Sequence, residues 1–515
     1  MINSQSLREA VDSIAQSMRD HKHEFKIIAA IGIALLCYTS MRAALLSFTH
    51  DEGVSYKFIH LASFSLKSAN NHWVNTFLMA MCGTIFGESE LSLRLPNVFA
   101  HVLFILFSFL TLCRLKSKTI AACGFLLLNI NPFMLDFFSL ARGYGLSLAF
   151  LMGSIFFLVR PENEQPGDTT DYFPVFFFSA LAVFSNFTLL NFHFAVLVIL
   201  GIKEFIKYGK TSDQDLESLL RKHDLSLWVA IGTLVVSALA LFYLKLTGQL
   251  YFGGNQGFWA DTVHSLLKSS MYFRDYGQHV MDIASISIMA AICIITIGTV
   301  LLLMFERNTQ AGASSLLICI TLICAASCLI QFHLFGALYP MERTALYFLP
   351  LFVLSVVFFA DHFTQRFQST GRIIFVPVLA LASILACWHF LGTANLAETY
   401  SWCCDANTKD MVDQLSREYS SQAGMDKPRK IELGVDWMFE PAVNYYRLSR
   451  RLTWLEKVTR DDIYKRPAAY DYYYVLDSNK AKLMKCRRIS VIKTFLPAET
   501  DLMMGNNIEA NMAPK

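Results

Sequence analysis

Long apolar runs separated by short polar turns occupy most of the sequence up to residue 392. Hydrophobic residues make up 54% of the 515 residues and charged residues only 17%, whereas soluble domains average about 25% charged residues. A helix needs about 20 apolar residues to cross the hydrocarbon core of a bilayer. By that length the sequence predicts about eleven membrane spans, at 26–48, 95–113, 119–137, 143–159, 173–186, 189–206, 226–246, 283–305, 314–333, 344–361 and 373–392.

Charge and cysteine content narrow the classes of protein further. The net charge of +3 gives no reason to expect a nucleic-acid partner. Most of the twelve cysteines lie inside apolar runs, where a free cysteine behaves as a small hydrophobic residue, and no cysteine spacing typical of a zinc site occurs. Cys403, Cys404 and Cys486 lie in polar sequence, which leaves one disulfide among them open.

The basic residues of the polar turns predict the orientation in the membrane, because cytoplasmic loops carry an excess of Lys and Arg. With a cytoplasmic N-terminus, these loops hold Arg114, Lys116 and Lys118, and later Arg366 and Arg372. An odd number of spans then places the C-terminus outside. We therefore expect a multi-pass protein of the inner (plasma) membrane. The run 26–48 is too long for a cleavable signal peptide.

The two ends of the chain differ in composition from the apolar middle. Residues 5–20 have apolar side chains at helical spacing, which favours a short amphipathic helix on the inner membrane face. After residue 392 the sequence is polar and mixed, with helical periodicity at 405–420 and 439–452. It has the β-branched and aromatic bias of strands at 431–436, 470–477 and 489–495. We predict a cytoplasmic segment 1–25, an all-α membrane domain 26–392 and a small exterior α/β domain 393–515.

The stretch SFTHDEGVSYKF, residues 47–58, places adjacent carboxylates directly after the first span. An ordinary structural role is available, since Asp51 could cap a helix that begins near Val54, and Glu52 would then be stabilised by the helix dipole. Charged groups beside a membrane are costly, however, and therefore suggest function. The acid pair Asp51–Glu52 is thus the first candidate for catalysis.

Three further polar segments are predicted on the same exterior side as the acid pair. They read NHW followed by RLP within 71–97, SLARGYGL at 139–146, and FGALYPMERTALYFLP at 335–350. The loop 247–282 is predicted to lie on this exterior side as well. This shared sidedness argues more strongly than any one motif, because it brings acids and arginines from distant parts of the chain to one membrane surface.

Taken in order, these motifs resemble the GT-C superfamily of polytopic glycosyltransferases, in the branch of protein O-mannosyltransferases and the lipid A aminoarabinose transferase. The resemblance covers about residues 26–392, with two departures: NHW stands where the family has an HPP-like start, and ERTALYFLP where it has RY. The motifs that carry it are Asp51–Glu52, Asn71–His72, Arg94–Leu95–Pro96, Ala141–Arg142–Gly143–Tyr144 and Glu342–Arg343 through Pro350.

This resemblance implies transfer of a sugar from a polyprenyl-phosphate donor to an exterior acceptor, which the sequence leaves open as a lipid, a glycan or a protein. A hydroxyl is a poor nucleophile, so a carboxylate is expected to act as general base. Asp51 is the candidate base, and Glu52 is expected to orient the acceptor or to pair with an arginine. A single acid pair favours one displacement with inversion.

The leaving lipid phosphate requires fixed positive charge. Arg142 and Arg343 are the first candidates, because a guanidinium can hold two phosphate oxygens; Arg94, Lys57 and Arg274 are second candidates. The remaining candidates for substrate binding are His50, His72, Tyr144, Tyr339 and Glu342. The glycine-containing loop 251–277 is predicted to close over the donor as a lid. It is too short to hold an inserted domain like that of the eukaryotic protein O-mannosyltransferases, so the resemblance implies a bacterial inner-membrane enzyme.

Cofactor use and two rival functions stay open at this level. Asp51, Glu52 and His72 could hold a divalent metal, but arginine charges can perform the same work, so no cofactor is assigned. A transporter or lipid flippase is the main alternative; such proteins carry ionisable residues near the bilayer midplane, whereas here the charges cluster at the outer interface. A membrane part that only anchors the exterior domain would leave these motifs unexplained.

Overall fold

The computed structural model describes most of the chain in continuous stretches. The described residues are 22–60, 68–160, 172–208, 224–305, 312–422, 430–465, 470–484 and 489–505. The amphipathic helix predicted at 5–20 lies outside them, as does Cys486. Within them, Cys403 and Cys404 carry free thiols.

Helices occupy every predicted apolar run, and the predicted fold class, an all-α membrane part with a small C-terminal α/β part, is confirmed. Seven helical segments of the described residues are long and apolar enough to cross a membrane; the total number of spans stays a prediction. The helices up to residue 393 are Lys22–Leu45, His50–His60, Trp73–Phe86, Glu90–Leu112, Lys118–Asn129, Pro132–Asp136, Gly143–Leu158, Phe173–Ser185, Leu190–Tyr208, Asp224–Leu246, Ser265–Ser270, Gln278–Phe305, Ala313–Phe335 and Phe348–Thr393.

The predicted span 119–137 is two helices, because the sequence Asn131–Pro132 interrupts it. The Asn131 side chain accepts the backbone N–H of Met134 at 3.0 Å and so caps a new helix. Pro132 occupies the first position of that helix, where its missing N–H costs nothing. The short second helix turns the chain toward Arg142.

Two other predicted boundaries also differ in detail. Between the fifth and sixth predicted spans, Asn186 ends one helix and caps a short 3-10 turn through a 3.2 Å bond from the N–H of Thr188. The last two predicted spans are two helices within Phe348–Thr393 that meet at a kink, where Gln368 has a non-helical φ of 42°.

The C-terminal region contains a sheet of four strands, Leu433–Val435 (β1), Tyr472–Leu476 (β2), Ile489–Phe495 (β3) and Thr500–Gly505 (β4). Their order in the sheet is β1-β2-β4-β3. The strands β1 and β2 are parallel, and the other neighbours are antiparallel. The three predicted strands and two predicted helices are present; β4 and the helix Asp477–Met484 were missed. This region also contains the helices Thr408–Gln422, Glu440–Ser449 and Asp477–Met484.

The C-terminal region packs directly on the helix His50–His60, which we call the acid-pair helix because it carries Asp51 and Glu52. Phe48, just before this helix, stacks on Tyr445 with ring centroids 3.7 Å apart. The backbone N–H of Phe48 donates to the hydroxyl of Tyr446 at 2.8 Å. These contacts belong to one buried apolar cluster that joins both parts of the chain.

Gly53 marks the closest approach between the acid-pair helix and the C-terminal region. A Cβ at position 53 would lie 2.5 Å from the carbonyl carbon of Pro441. Alanine normally stabilises a helix relative to glycine by about 0.5–1 kcal/mol, but overpacking of this kind costs about 1–3 kcal/mol. We therefore expect Gly53→Ala to lower the thermal stability of the purified protein in detergent.

The matched control is Gly201→Ala in the helix Leu190–Tyr208, where no atom lies within 4 Å of the added Cβ. This variant should leave the melting temperature unchanged or raise it slightly. Equal stabilisation by both substitutions would show that the acid-pair helix and Pro441 are not in close contact.

Candidate active site

The acid-pair helix begins at His50, so Asp51 and Glu52 lie in its first turn. Carboxylates are favoured there by the positive end of the helix dipole. Both side chains are buried, and so is Ser55 one turn later, whereas Lys57 is exposed on another face. Lys57 therefore differs from the prediction: it points away from the buried face that carries the acids.

Asp51 keeps one carboxylate oxygen without a hydrogen bond from any described residue. Its Oδ1 accepts from the side-chain amide of Asn70 at 2.9 Å. Its Oδ2 lies 3.5 Å from a terminal nitrogen of Arg142 and 4.0 Å from one of Arg343. Burial alone would raise the pKa of Asp51, but the two guanidinium charges hold it below its usual value. Asp51 is thus an anion with one buried oxygen that accepts no hydrogen bond from the described residues.

Arg142 is fully buried, and its terminal nitrogens are occupied by protein acceptors. One nitrogen donates to the carbonyl oxygen of Asp51 at 3.1 Å and to the hydroxyl of Ser55 at 2.9 Å. The other donates to the side-chain oxygen of Asn70 and to Nε2 of His72, the latter at 3.0 Å. Arg142 was predicted to bind phosphate, but in the structure it fixes the acid-pair helix to residues 70–72.

His72 is neutral and connects Arg142 to the backbone at Ser185 through hydrogen bonds at its two ring nitrogens. Because a guanidinium can only donate, Nε2 of His72 is the acceptor and Nδ1 carries the proton; Nδ1 then donates to the carbonyl of Ser185 at 2.7 Å. Burial, followed by the charge of Arg142, lowers the pKa of His72 to about 3. Both ring nitrogens are used within the protein.

Gly143 allows this close packing. A Cβ at position 143 would lie 2.0 Å from the carbonyl oxygen of Ser185 and 2.7 Å from Cβ of His72. Only glycine fits such a gap between two backbones. The sequence Arg142–Gly143 therefore places the guanidinium beside His72 at the start of the helix Gly143–Leu158.

Arg343 is the cation of the site that retains capacity for a ligand. Its side chain is 18% exposed, and its ion pairs with Asp51 and Glu342 are both long, at 4.0 Å. The guanidinium carbon lies 4.1 Å from the ring centre of Phe252 and 5.3 Å from that of Trp402. The two aromatic rings hold the charge by cation–π contact without consuming its N–H donors.

Glu342 and the loop 251–277 support Arg343 from the other side. Glu342 has a positive φ of 47°, a strained conformation for this residue type, and its N–H donates to the hydroxyl of Ser265 at 3.0 Å. Gly254 and Tyr339 exchange two backbone hydrogen bonds, of 3.0 and 2.9 Å. The loop predicted as a lid is thus tied to the segment that carries Arg343.

The two tyrosines predicted to bind sugar are buried against protein rings. Tyr339 stacks on Phe332 with centroids 4.3 Å apart. Tyr144 packs edge-on against His72 at 4.8 Å and against Phe137 at 4.9 Å. Both tyrosine rings are therefore covered by neighbouring side chains.

Glu52 and Arg94 form a saturated pair with no exposed surface. Nε and one terminal nitrogen of Arg94 each donate to Glu52 at 2.7 Å. The other three N–H donors of Arg94 go to backbone carbonyls, and Glu52 also accepts the N–H of Ala141 at 2.6 Å. Arg94 was predicted as a second-choice phosphate ligand, but it has no donor left for one.

Two other predicted residues serve contacts away from Asp51. His50 donates its backbone N–H to Asp405 at 2.6 Å, and its Nδ1 lies 2.6 Å from the carbonyl of Met438. Arg274 is exposed and donates to the carbonyl of Gly392. These contacts of His50 and Arg274 join chain segments.

Sequence reasoning missed Asn70, Ser55, Phe252, Trp402 and Asp405, which surround the acid and the arginines. Their residue types carry no local signal, and only their contacts identify them. Within the described residues, no three His, Cys, Asp or Glu side chains converge as a metal site. Glu52, one of the three residues that could hold a metal, is turned toward Arg94.

Removal of Glu52 should destabilise the protein, because it leaves the guanidinium of Arg94 buried without a counter-charge. For Glu52→Ala we expect a loss of about 3–5 kcal/mol of unfolding free energy, measured by denaturant unfolding in detergent.

The matched control is Glu456→Ala, which breaks the surface ion pair of 3.0 Å with Lys430 and should cost less than about 1 kcal/mol. A Glu52→Ala protein as stable as this control would mean that the Glu52–Arg94 pair does not support the fold.

The chain is similar to known proteins in part of its sequence and in its fold. The family described as "Dolichyl-phosphate-mannose-protein mannosyltransferase" matches residues 73–210. ArnT from Cupriavidus metallidurans in the apo state superposes with a TM-score of 0.54 at 11% identity, covering 96% of this chain and 100% of that chain. ArnT bound to undecaprenyl phosphate gives a TM-score of 0.52 at 12% identity, covering 95% and 99%. No curated protein sequence matches the chain.

Proposed function

We propose, from the GT-C fold that this chain adopts, that it is an integral-membrane glycosyltransferase that uses a polyprenyl-phosphate sugar as donor. The observation that carries the proposal is the Asp51 carboxylate, which has one oxygen without a hydrogen bond from the described residues and faces the partly exposed Arg343. The structure of ArnT with undecaprenyl phosphate supports the donor class. The acceptor is a hydroxyl group on the exterior face.

In the proposed reaction Asp51 is the general base. The acceptor oxygen attacks the anomeric carbon of the donor while Oδ2 of Asp51 takes the hydroxyl proton. The bond between the anomeric carbon and the phosphate oxygen breaks, and the electron pair leaves with the polyprenyl phosphate. One displacement inverts the sugar carbon. The lowered pKa of Asp51 keeps the base ionised at neutral pH, and such proton transfer contributes about 10²–10⁴-fold.

Arg343 is the proposed phosphate ligand. Negative charge grows on the leaving phosphate in the transition state, and a fixed guanidinium in a water-poor site stabilises it. Arg343 can bind in this way because its ion pairs with Asp51 and Glu342 are long, at 4.0 Å, and its side chain is partly exposed. Its other polar side-chain partner is the hydroxyl of Tyr144. Arg142, by contrast, acts through Asp51, which it positions and keeps anionic.

Glu52 and Arg94 have a supporting role in the proposal. The hydrogen bonds between Glu52 and Arg94 fix the first turn of the acid-pair helix. Because Asp51 lies in the same turn, they also fix the direction of its side chain. This arrangement assigns one acid of the pair to chemistry and the other to the position of the helix.

The proposed orientation follows the charge bias of the polar turns. The N-terminus lies in the cytoplasm, and the acid-pair helix, Arg343 and the C-terminal region lie on the exterior side of the inner (plasma) membrane. This side is where a lipid-linked sugar would meet lipid, glycan or protein acceptors of the cell envelope.

Asp51→Asn should abolish transfer while leaving expression near that of the unmodified protein, because the amide cannot accept the proton. We expect a loss of at least about 10²-fold in kcat. The assay supplies purified protein with a panel of undecaprenyl-phosphate sugars and cell-envelope extract, and detects released undecaprenyl phosphate and new glycosylated products by mass spectrometry.

The matched control is Asp275→Asn, an exposed aspartate whose carboxylate accepts a bond from the N–H of Gly277; it should retain full activity. Retained transfer in Asp51→Asn would show that another group is the base. Absence of transfer by the unmodified protein with every donor, together with solute uptake by reconstituted vesicles, would favour a transporter.

Arg343→Ala should raise KM for the donor and lower kcat, since a charge-assisted bond to phosphate is worth about 1.5–3 kcal/mol, or about 10–100-fold. Arg343→Lys keeps the charge and should recover part of the loss.

Arg274→Ala is the control, since this exposed arginine contacts the carbonyl of Gly392 and should leave both constants unchanged. If Arg343→Ala weakened acceptor binding alone, the proposed phosphate contact would be wrong.

A further inference from the structure

The chain between the last long helix and the helix Thr408–Gln422, residues 394–407, crosses the candidate site; we call it the linker. It is held at its start by a buried ion pair. A terminal nitrogen of Arg42 lies 2.5 Å from Oδ1 of Asp136. The same guanidinium also donates to the linker carbonyls of Asn395 and Glu398. The N–H of Tyr400 donates to Asp136 at 2.9 Å. The linker is thus fixed to the membrane helices before it reaches the site.

Asp405 connects the end of the linker to the acid-pair helix. It is 1% exposed, and its Oδ2 accepts the backbone N–H of His50, the first residue of the helix and the neighbour of Asp51, at 2.6 Å. Its Oδ1 receives no hydrogen bond from the described residues. Asp405 and Thr399 line a cavity of about 10 Å³, which is about the space of one water molecule.

Trp402 connects the same linker to Arg343. The indole ring is buried and lies 5.3 Å from the guanidinium carbon. It also meets Phe137 edge-on, with ring centres 6.1 Å apart. Phe137 belongs to the turn that leads to Arg142, so Trp402 is held against the membrane part while it supports Arg343.

We propose that the linker is a positioning element of the active site, with Asp405 as a positioning residue for Asp51 and Trp402 as a positioning residue for Arg343. Asp405 acts through the N–H of His50, and Trp402 acts through its ring. This inference rests on the proposed function, because it assigns the two residues to the proposed base and the proposed phosphate ligand.

The two positioning residues have separable effects. A displacement of about 1 Å can reduce a reaction rate by about 10²-fold, so loss of the Asp405 bond should act on kcat through the direction of Asp51. Loss of the Trp402 ring should act on donor binding, because Arg343 then becomes free to move. A simple destabilisation of the fold would instead lower both parameters together with the melting temperature.

Asp405→Ala should lower kcat about 10–100-fold with donor KM within about threefold. Burial raises the pKa of Asp405 well above its usual value, so asparagine resembles the neutral acid and still offers an oxygen to His50. Asp405→Asn should therefore restore kcat to within about threefold. Trp402→Leu should raise donor KM by about tenfold, and Trp402→Phe should restore it.

A readout independent of activity is amide hydrogen exchange of the peptide that covers residues 47–56, measured by mass spectrometry. Asp405→Ala should speed exchange at the start of this helix, and Asp405→Asn should not. The control is Asp413→Ala, a half-exposed residue of the neighbouring helix that pairs with Arg450; it should alter neither exchange nor kinetics.

The inference is overturned if Asp405→Ala keeps both kcat and the exchange pattern, or if Asp405→Asn fails as fully as Asp405→Ala. It is also overturned if Trp402→Leu leaves donor KM unchanged. An inactive unmodified protein would count against the proposed function alone, because the exchange experiment still reports whether Asp405 holds the acid-pair helix.

Discussion

The buried guanidinium of Arg142 is the interaction on which the candidate site depends. It joins the acid-pair helix, the segment at residues 70–72 and the start of the helix Gly143–Leu158. A buried charge costs several kcal/mol unless it is paired and hydrogen-bonded, and here the anion of Asp51 and a set of oxygen and nitrogen acceptors offset that cost. The same contacts that stabilise Arg142 therefore fix the direction of Asp51 before any ligand binds.

The two adjacent carboxylates differ because of the bonds available to each. Glu52 accepts from Thr49, Ala141 and Arg94 at both oxygens, and no lone pair remains for a substrate. Asp51 has one oxygen bonded to Asn70 and one that only faces cations at 3.5 and 4.0 Å. A saturated carboxylate is suited to structure and an unsaturated one to proton transfer. The pair thus combines a rigid helix start with the proposed base.

Sequence reasoning predicted the membrane helices well, because the thickness of the bilayer fixes the length of an apolar run. It also predicted that Asp51, Arg142 and Arg343 lie on one side, and the structure brings them together. It did not distinguish the role of Arg142 from that of Arg343. The N–H groups of Arg142 are taken up by acceptors such as the carbonyl of Asp51 and the ring of His72, which are remote in sequence from Arg142. It missed Trp402 and Asp405 because the change to polar composition after residue 392 indicated a separate domain.

The support of Arg343 shows why the loop 251–277 and the linker belong to the candidate site and not only to its surroundings. The backbone of Glu342 is held at a φ of 47°, which costs about 1–3 kcal/mol for such a residue. That strain persists because Ser265 bonds its N–H and because Gly254 pairs with Tyr339 just before it. Arg343 is consequently aimed at Asp51 by one loop while Phe252 and Trp402 hold its faces. A cation fixed in this way would lose little entropy on binding a phosphate, which suits Arg343 to its proposed role as ligand of the leaving group.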